Sequence, residues 1–412
     1  MWLRRLATGF GCLLCIATCC RQGATPPAVP ASGFDDQAVS FARASTRFGL
    51  DLYRRLCAAA PGNLAIAPPS VGVALTMAWT GARGDTRDEI GRVLRLSGTT
   101  AEVASSARSL VAALNGLNGE TMTLRVGNGL FAEQTYQLEP AFAEGTSQQF
   151  GAPVRSLDFI GASEESRRTI NSAMADQTDQ QIREILPAGS VNPQTSLVLT
   201  NAVYFVGRWL SPFEPRDTVP RDFFVNGQVA RKVPTMSQTE QFTYTAGDGV
   251  QVLELAYEGN AVSMLLVLPD ERNGLQKVEE GLTAERLQRW LSRLRATAVE
   301  VQLPRFELQT ATELKQPLSQ LGLKLAFDPD RADFRGMSSS GALYMQDVFH
   351  QVFVRVDEEG TRAAAATAVT MEPVSELFTE TRFVADHPFL FAIIHRPSGT
   401  PLFFGRVVAP QS

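Results

Sequence analysis

Apolar residues recur every three or four positions along much of the first half of the chain. Phe48, Leu52 and Leu56 show this spacing, which gathers apolar side chains on one face of a helix. The same period predicts five helices: Val39–Ala60, Val71–Thr80, Ile90–Leu96, Ala101–Leu114 and Glu164–Leu186. The residues from Thr86 to Glu89 have the spacing of a capping box, which predicts the start of the third helix.

Short apolar runs with strand character fill most of the second half. The predicted strands are Leu124–Phe131, Ser196–Val206, Val250–Leu255, Ala261–Leu268, Val299–Phe306, Val352–Val356, Phe389–His395 and Leu402–Val408. Several are apolar on both faces, as expected for strands in the middle of a covered sheet. Because the helices come mostly first and the strands mostly late, the order predicts an α+β fold with long-range antiparallel sheets. No repeat with the period of a solenoid is present.

The N-terminus has the pattern of an export signal. A short basic stretch, Met1–Leu6, precedes the apolar run Ala7–Ala17, which is too short to span a bilayer at about 20 residues. A segment rich in Pro, Gly and Ala follows, without any hydrophobic period. We therefore expect a signal peptide over residues 1–20, a flexible tether over 21–37 and a single folded domain over 38–412.

Cysteine usage supports export and raises the question of a lipid anchor. Four of the five cysteines lie in the first twenty residues, so Cys57 alone cannot form a disulfide within the folded body. Ile16–Thr18 resembles a bacterial lipobox, which makes Cys19 or Cys20 a candidate for lipidation. Ordinary cleavage near Ala24 is the alternative. Both readings predict an extracellular or periplasmic protein, and the first predicts an outer-membrane lipoprotein whose only membrane contact is the lipid.

Charge and motifs exclude several function classes. The chain has 38 basic and 43 acidic residues and a formal net charge of −5, so it lacks the basic footprint of a nucleic-acid binder. It contains no nucleophile elbow, no zinc-protease motif, no Walker loop and no dinucleotide-binding motif. The three histidines, His350, His387 and His395, lie in or beside apolar strands, which is typical of structural histidines. We therefore expect no enzyme, no metal and no cofactor.

The most informative segment is Asp357–Phe383. Four consecutive alanines, Ala363–Ala366, suit a helical turn in an exposed loop. The segment also suits a strand, because every second residue is small or apolar and would share one face of an extended chain. These residues are Thr361, Ala363, Ala365, Thr367, Val369 and Met371. The only nearby charge, Arg362, falls on the opposite face.

Here the sequence resembles the serpin family. The residues from Glu358 to Thr367 are similar to the family's hinge, Glu-Glu-Gly-Thr-Glu-Ala-Ala-Ala-Ala-Thr, and depart from it only at Arg362. Four further motifs follow the family's order: Asn63–Ser70, Thr200–Phe213, Asp386–Phe389 and Leu402–Val408. The resemblance covers the chain from Val39 onward. Two other departures are Ala67, where the family has a serine, and Ala173, where it often has tryptophan.

The resemblance implies a serpin fold with three β-sheets, eight or nine helices and an exposed reactive loop over Glu359–Arg382. It assigns three sets of residues, each of which has ordinary packing or pairing as its alternative role. The hinge comprises Glu358, Glu359, Gly360, Thr361, Ala363, Ala365 and Thr367. The shutter, a hydrogen-bonded group beneath the large sheet, comprises Ser70, Asn201 and His350. The breach, where the loop first enters the sheet, comprises Trp209, Arg305 and Glu358, with an expected Glu358–Arg305 ion pair.

By the same resemblance, the protein is expected to be a monomeric, irreversible suicide inhibitor that forms a covalent 1:1 complex with a serine protease. Family spacing places the cleaved bond at Val374–Ser375, and valine suits an elastase-like pocket. Met371 and Leu377 are alternatives that suit chymotrypsin-like proteases, while subtilisin-like and cysteine proteases are further candidates. Arg108 is the only basic residue of segment 101–119, which argues against activation by heparin. A non-inhibitory serpin with a binding or chaperone role is the alternative function, and the intact hinge argues against it.

Overall fold

The computed structural model describes residues 34–225, 229–340, 343–361 and 381–411. Several predicted features lie outside these residues. They are the signal peptide with Cys19 and Cys20, most of the tether, the hinge residues Ala363, Ala365 and Thr367, and the bond Val374–Ser375. In the part of the chain that is described, no helix is long and apolar enough to cross a membrane.

Nine α-helices form within the described ranges. They are α1 Asp36–Ala59, α2 Pro68–Gly81, α3 Gly84–Leu94, α4 Thr100–Asn115, α5 Pro140–Phe150, α6 Ser163–Gln177, α7 Leu275–Glu280, α8 Ala284–Arg293 and α9 Lys315–Gln320. All five predicted helices are present, but α6 ends well before Leu186. The reason is local, because Asp179 and Gln180 adopt left-handed backbone conformations with φ of 49° and 62°.

The capping-box prediction at Thr86 is wrong. Helix α3 already begins at Gly84, so Thr86 lies inside it, and its hydroxyl accepts a hydrogen bond from the backbone N–H of Asp333. A reciprocal capping box is present one helix later, where Thr99 and Glu102 satisfy each other's backbone N–H groups at the start of α4.

The large sheet contains six strands. In spatial order they are β10 Phe306–Glu313, β11 Met345–Val356, β4 Leu197–Arg208, β2 Met122–Glu133 and β3 Val154–Leu157, with the short β12 Gly360–Thr361 pairing with β4. The expectation of antiparallel sheets holds only in part, because β11 pairs with β4 in parallel, as does β3 with β2. Parallel neighbours of this kind require a long connection, and more than a hundred residues separate β4 from β11.

The remaining strands form one continuous nine-stranded sheet. In spatial order they are β1 Leu64–Ile66, β15 Thr400–Val407, β14 Phe389–His395, β8 Val262–Pro269, β7 Val250–Ala256, β6 Val229–Gly247, β9 Arg295–Pro304 and β13 Arg382–Val384, with β5 Val219–Val225 pairing with β6. Three sheets are expected from the resemblance, and two of them merge here. Strand β6 is 19 residues long and pairs with β5 near one end and with β7 near the other.

Helices cover both faces of the large sheet. Asn201 on one face of β4 contacts Ser70 of the buried helix α2. On the other face, Val198 and Ala202 of β4 and Phe349 of β11 pack with α6 in a separate apolar cluster. Helix α6 therefore covers this face of the large sheet, where Met174 contacts Thr200 of β4.

Candidate functional site

The central feature of the large sheet is the seam, by which we mean the paired length of β4 and β11. These strands pair directly from Met345 opposite Leu197 to Val354 opposite Phe205, so no strand separates them there. Beyond this length, Gly360 and Thr361 form β12 and pair antiparallel with β4. The described part of the hinge therefore already starts a strand against β4 at one end of the seam.

Glycine is required at the first position of β12. Gly360 has a φ of +148°, and a Cβ added there would lie 2.0 Å from the carbonyl oxygen of Gly207. No side chain fits so close to the neighbouring backbone. Thr361 is fully buried, and its hydroxyl lies 2.8 Å from the hydroxyl of Tyr257, whose pKa is raised by burial. The hinge is thus fixed by close backbone approach and by one buried hydrogen bond.

The three breach residues of the sequence analysis come together beside β12. Arg305 Nε donates to Glu358 Oε1 at 2.6 Å, and the hydroxyl of Thr218 donates to the same oxygen. Burial alone would raise the pKa of Glu358, but the hydrogen bonds from Arg305 and Thr218 outweigh it and lower the pKa below its ordinary value. Trp209 Nε1 donates to the carbonyl of Asp357 at 3.0 Å.

The backbone ties the same region to the sheet. Trp209 N–H donates to the carbonyl of Glu359 at 2.8 Å, and Phe213 N–H donates to that of Glu358 at 2.9 Å. The Trp209 ring also stacks on Tyr257, with ring centroids 4.5 Å apart. Thr218 and Tyr257 are therefore members of this site that the sequence analysis missed, since nothing in their local sequence marks them.

The shutter residues lie near the middle of the seam, but only two of the three are directly bonded. Asn201 Nδ2 donates to Ser70 Oγ and also to Asn128 Oδ1, a partner that the sequence analysis missed. His350 lies opposite Asn201 in the strand register, yet its Nε2 accepts a hydrogen bond from the backbone N–H of Ala67 at 3.1 Å.

Two buried polar atoms of the shutter have no partner among the described residues. They are Asn201 Oδ1 and His350 Nδ1. Because His350 accepts at Nε2, its neutral ring carries the proton on Nδ1, so an unpartnered donor and an unpartnered acceptor occur at neighbouring positions. Burial lowers the pKa of His350 to about 4, which keeps the ring neutral at physiological pH.

The residues that flank the predicted reactive loop pair with different sheets. Thr361 pairs with β4 of the large sheet, whereas Arg382–Val384 forms β13 and pairs with β9 of the nine-stranded sheet. Arg382 binds Glu300 of β9 through two hydrogen bonds of 3.0 and 3.1 Å. Cleavage anywhere between residues 362 and 380 would therefore leave each new end attached to a separate sheet.

The other two histidines lack the arrangement of a catalytic base. His387 Nδ1 lies 2.6 Å from Asp386 Oδ1, but its Nε2 lies 2.8 Å from the carbonyl of Pro269, so neither ring nitrogen is available to a nucleophile. His395 is fully buried, stacks on Phe34 and contacts Ser398, and no carboxylate of the described residues forms an ion pair with it. The described residues also contain no group of three or more side chains that could hold a metal ion.

Comparisons with known proteins agree with this architecture. A family model described as serpin (serine protease inhibitor) matches residues 43–410. The leukocyte elastase inhibitor of Bos taurus is 41% identical over 376 residues, covering 89% of this chain and 98% of the relative. The solved structure of uncleaved ovalbumin aligns with a TM-score of 0.81 at 29% identity, covering 90% of this chain and 100% of that chain. Human thyroxine-binding globulin aligns with a TM-score of 0.84 at 26% identity, covering 91% and 100%. The chain therefore has the serpin fold and belongs to the serpin family.

Proposed function

We propose that the protein inhibits serine proteases irreversibly, as a suicide substrate whose reactive loop is cleaved and then inserted into the seam. One observation carries the proposal: β4 and β11 are paired directly, while β12 already pairs with β4 at the end of that pairing. A strand that continued from Thr361 along β4 would have to part the two strands. The loop would then become a new central strand of the large sheet.

The register of β12 gives the proposed inserted strand a definite alignment. Gly360 lies opposite Arg208 and Thr361 opposite Gly207, so each later residue would lie opposite the next earlier residue of β4. The proposed pairs are Ala363 with Phe205, Ala365 with Val203 and Thr367 with Asn201. Small side chains suit the first two positions, because Phe205 and Val203 already fill the core beneath. Thr367 would bring a hydroxyl to the two unpartnered atoms of the shutter.

Strand insertion supplies the free energy that inhibition requires. A new central strand forms hydrogen bonds on both sides, and at about 1 kcal/mol net per bond this amounts to roughly ten kcal/mol or more. A strand of about fourteen residues at ~3.3 Å each spans roughly 45 Å, so a protease attached to its end is carried far across the molecule. The uncleaved fold must therefore be metastable relative to the inserted form.

The chemistry at the cleaved bond follows that of any serine protease substrate. The serine hydroxyl of the protease attacks the carbonyl carbon of Val374, the bond to Ser375 breaks, and the new amine leaves with a proton from the protease histidine. An ester then joins Val374 to the protease. We propose that insertion is faster than hydrolysis of this ester, which leaves a covalent 1:1 complex.

An elastase-like protease is the proposed target. Valine fits a small apolar primary pocket, and relatives that are 41% identical carry the name leukocyte elastase inhibitor. The test is an SDS gel of the protein mixed with elastase, chymotrypsin, trypsin and subtilisin, with mass spectrometry of the released C-terminal peptide. We expect a covalent band with elastase and a peptide that begins at Ser375. A band with chymotrypsin alone would move the bond to Met371 or Leu377.

A hinge variant separates inhibition from simple cleavage. Ala363→Arg would place a charge on the face that must become buried, slow insertion and turn the inhibitor into a substrate. Arg362→Ala is the matched control, because the native chain already carries an arginine on the opposite face. We expect cleavage without a covalent band for Ala363→Arg and a normal band for Arg362→Ala. Equal covalent bands from both variants would contradict burial of residue 363 by insertion, whereas no covalent band from either variant or from the unaltered protein would favour a binding or chaperone role.

We also propose that the protein is exported and anchored through a lipid on Cys19 or Cys20. The basic start, the short apolar run and the lipobox-like Ile16–Thr18 support this proposal. Labelling with palmitate in a bacterial host tests it. We expect Cys19→Ala or Cys20→Ala, but not both, to abolish the label and release the protein. Absence of label from the unaltered chain would favour ordinary cleavage near Ala24.

A further inference from the structure

Positive charge is concentrated on one side of the protein, although the whole chain has a net charge of −5. This side is formed by the outer surfaces of α1 and α8 and by the end of α3, and we call it the arginine face. Three acids share it, namely Asp36, Asp51 and Glu285. Its six arginines are all exposed: Arg43, Arg47, Arg54, Arg55, Arg95 and Arg289. Six arginines and three acids leave a local charge of +3, opposite in sign to that of the chain.

Contacts between the three helices make the arginine face continuous. Arg95 at the end of α3 lies 2.6 Å from Asp51 of α1, measured from Nη2 to Oδ2. Arg47 of α1 lies 3.8 Å from Glu285 of α8, measured from Nη2 to Oε1. The arginines at positions 43, 55 and 289 form no ion pair with any residue that the structure describes. Their guanidinium groups are therefore available to an anionic partner.

The N-terminal chain leaves the folded body at one end of the arginine face. Phe34, the first described residue, stacks on His395 at the end of β14, with ring centroids 3.9 Å apart. Helix α1 begins at Asp36, directly after this contact. The stacking therefore fixes the point at which the chain that carries Cys19 and Cys20 joins the body.

Helix α8 lies beside this point and runs antiparallel to α1. Its Gln288 donates a hydrogen bond of 3.5 Å to the carbonyl of Gly399, in the turn that follows β14. Its Glu285, about one turn earlier, lies next to Arg47. These two contacts place Arg289 on the side of Arg47 that is nearer to the N-terminal chain.

The length of the N-terminal chain and the sign of the charge identify the partner. About fourteen residues separate Cys20 from Phe34. Such a chain reaches at most roughly 50 Å when fully extended and roughly 20 Å on average as a coil. A lipid on Cys19 or Cys20 would thus hold the arginine face near the bilayer, whose anionic headgroups attract basic side chains within about 10 Å. We propose that the arginine face rests on anionic phospholipid headgroups, as a second membrane contact beside the lipid.

Docking by this face sets the orientation of the body on the membrane. None of its six arginines belongs to the seam, the breach or the shutter, so these sites stay free when the face is covered. The inference rests on the proposed export and lipid anchor, which bring the face to a membrane. It does not depend on inhibition of a protease.

Sedimentation with lipid vesicles tests the proposal. The chain used is residues 21–412, which contains every described residue but not the proposed lipid, so that binding reports the protein surface alone. At about 20 mM salt we expect roughly tenfold more protein on vesicles of phosphatidylglycerol and phosphatidylcholine in equal parts than on phosphatidylcholine alone. Most of this excess should be lost at about 0.5 M salt, because salt screens exposed charges.

A triple charge reversal on the arginine face is the decisive variant. Arg43→Glu, Arg47→Glu and Arg289→Glu together should lower binding to the mixed vesicles about tenfold, to the level seen on phosphatidylcholine alone. The reason is that each basic residue near an anionic surface strengthens binding about fivefold, so three reversals remove the whole excess. All three side chains are exposed, so we expect the variant to fold, and thermal unfolding checks this.

The matched control makes the same change of net charge on a different surface. It combines Arg216→Glu, Arg221→Glu and Arg231→Glu, which alter exposed side chains in and beside the hairpin of β5 and β6. This hairpin contacts the chain where Phe224 N–H donates to the carbonyl of Asp386, just before β14 and at the opposite end of that strand from His395. The control should retain most of the binding to the mixed vesicles.

Three results would overturn the proposal. They are no excess of binding on the anionic vesicles, equal binding by the unaltered chain and the arginine-face variant, and equal loss of binding in both triple variants. Binding to dextran sulfate without binding to the anionic vesicles would also overturn it and would favour a sulfated polysaccharide as the partner. Absence of the palmitate label from the unaltered chain would contradict the lipid anchor alone, so the two proposals can fail separately.

Discussion

The breach lies at one end of the seam and the shutter near its middle, but their buried polar groups are satisfied to different degrees. At the breach, Glu358 accepts hydrogen bonds from Arg305 and Thr218, and Thr361 is bonded to Tyr257. At the shutter, one acceptor of Asn201 and one donor of His350 have no partner among the described residues. A buried polar group without a partner costs about 1–3 kcal/mol.

The difference shows that the hydrogen bonds of buried polar groups are more complete at the breach end of the seam than near its middle. The breach is well satisfied and fixes the hinge in register against β4. The shutter is satisfied only in part, and it lies where the proposed inserted strand would deliver the hydroxyl of Thr367. If the uncleaved fold is metastable, as proposed above, we infer that part of this metastability resides in the shutter and that the breach determines where the proposed insertion begins.

The largest expected effect is the acid sensitivity of the shutter. Burial depresses the pKa of His350 to about 4, from an ordinary value of 6.5, so the folded state disfavours the charged ring. The neutral His350 ring therefore contributes its full share of the free energy of unfolding above pH 6.5. As the pH falls from 6.5 toward 4, this free energy decreases by about 3 kcal/mol. Thermal unfolding of His350→Gln between pH 4 and 6.5 should show a shallower loss of stability than the unaltered protein.

His395 provides the control for this prediction. Burial also lowers its pKa to about 4, but it lies at the end of β14, away from the seam. His395→Gln should reduce the acid sensitivity by a similar amount without changing the rate of loop insertion. An unchanged pH profile in His350→Gln would show that the shutter histidine does not control acid stability.

The next effect concerns the ion pair of the breach. Arg305→Ala leaves the buried carboxylate of Glu358 with only Thr218, and we expect a loss of about 2 kcal/mol in the free energy of unfolding. Lys232→Ala is the control, because its pair with Asp222 is exposed and should contribute less than about 1 kcal/mol. Denaturant unfolding compares the two, and similar small losses would contradict the buried role of Glu358.

A half-buried acid at the far end of the seam should act in the opposite sense to His350. Asp347 lies at the register shift where β11 begins its pairing with β4, and burial raises its pKa to about 6 from 3.8. The folded state favours the protonated carboxyl of Asp347, so the free energy of unfolding falls as the pH rises from about 4 to 6. Asp347→Asn should therefore stabilise the protein at pH 7.5 by about 1 kcal/mol and have little effect near pH 4.

Equal effects of Asp347→Asn at pH 7.5 and pH 4 would show that ionisation of Asp347 does not lower the stability of the protein. The variant retains a side-chain oxygen that can accept the hydrogen bonds which the backbone N–H groups of Lys315 and Val348 donate to Asp347 Oδ1. Thermal unfolding at the two pH values is sufficient for the comparison.

The smallest expected effect is the loss of one hydrogen bond to the hinge. Tyr257→Phe keeps the ring that stacks on Trp209 but removes the partner of Thr361, at a cost of about 1 kcal/mol. Hydrogen exchange at Gly360 and Thr361 should become faster. Phe205→Leu, which alters the same aromatic cluster without touching the hydroxyl, should leave this exchange unchanged.

Much of the fold follows from local patterns, while most of the site does not. The apolar run of β14 predicts that strand to the residue, and the period of α1 predicts its helix to within three residues. Strand β6 escaped prediction because its exposed and half-buried residues give no clear alternation. Thr218, Tyr257 and Asn128 escaped because their partners lie 140, 104 and 73 residues away in sequence. Only tertiary packing brings such residues together, whereas the hinge and shutter were indicated by family motifs.

The most direct test of the central claim is thermal unfolding of the protein before and after cleavage within residues 362–380 by a protease that it does not trap. If the cleaved loop inserts between β4 and β11, the cleaved protein should unfold at a much higher temperature, because the new strand adds hydrogen bonds on both sides. Hydrogen exchange along both β4 and β11 should become slower after cleavage. An unfolding temperature that stays the same or falls after cleavage would contradict insertion and, with it, the proposed mechanism of inhibition.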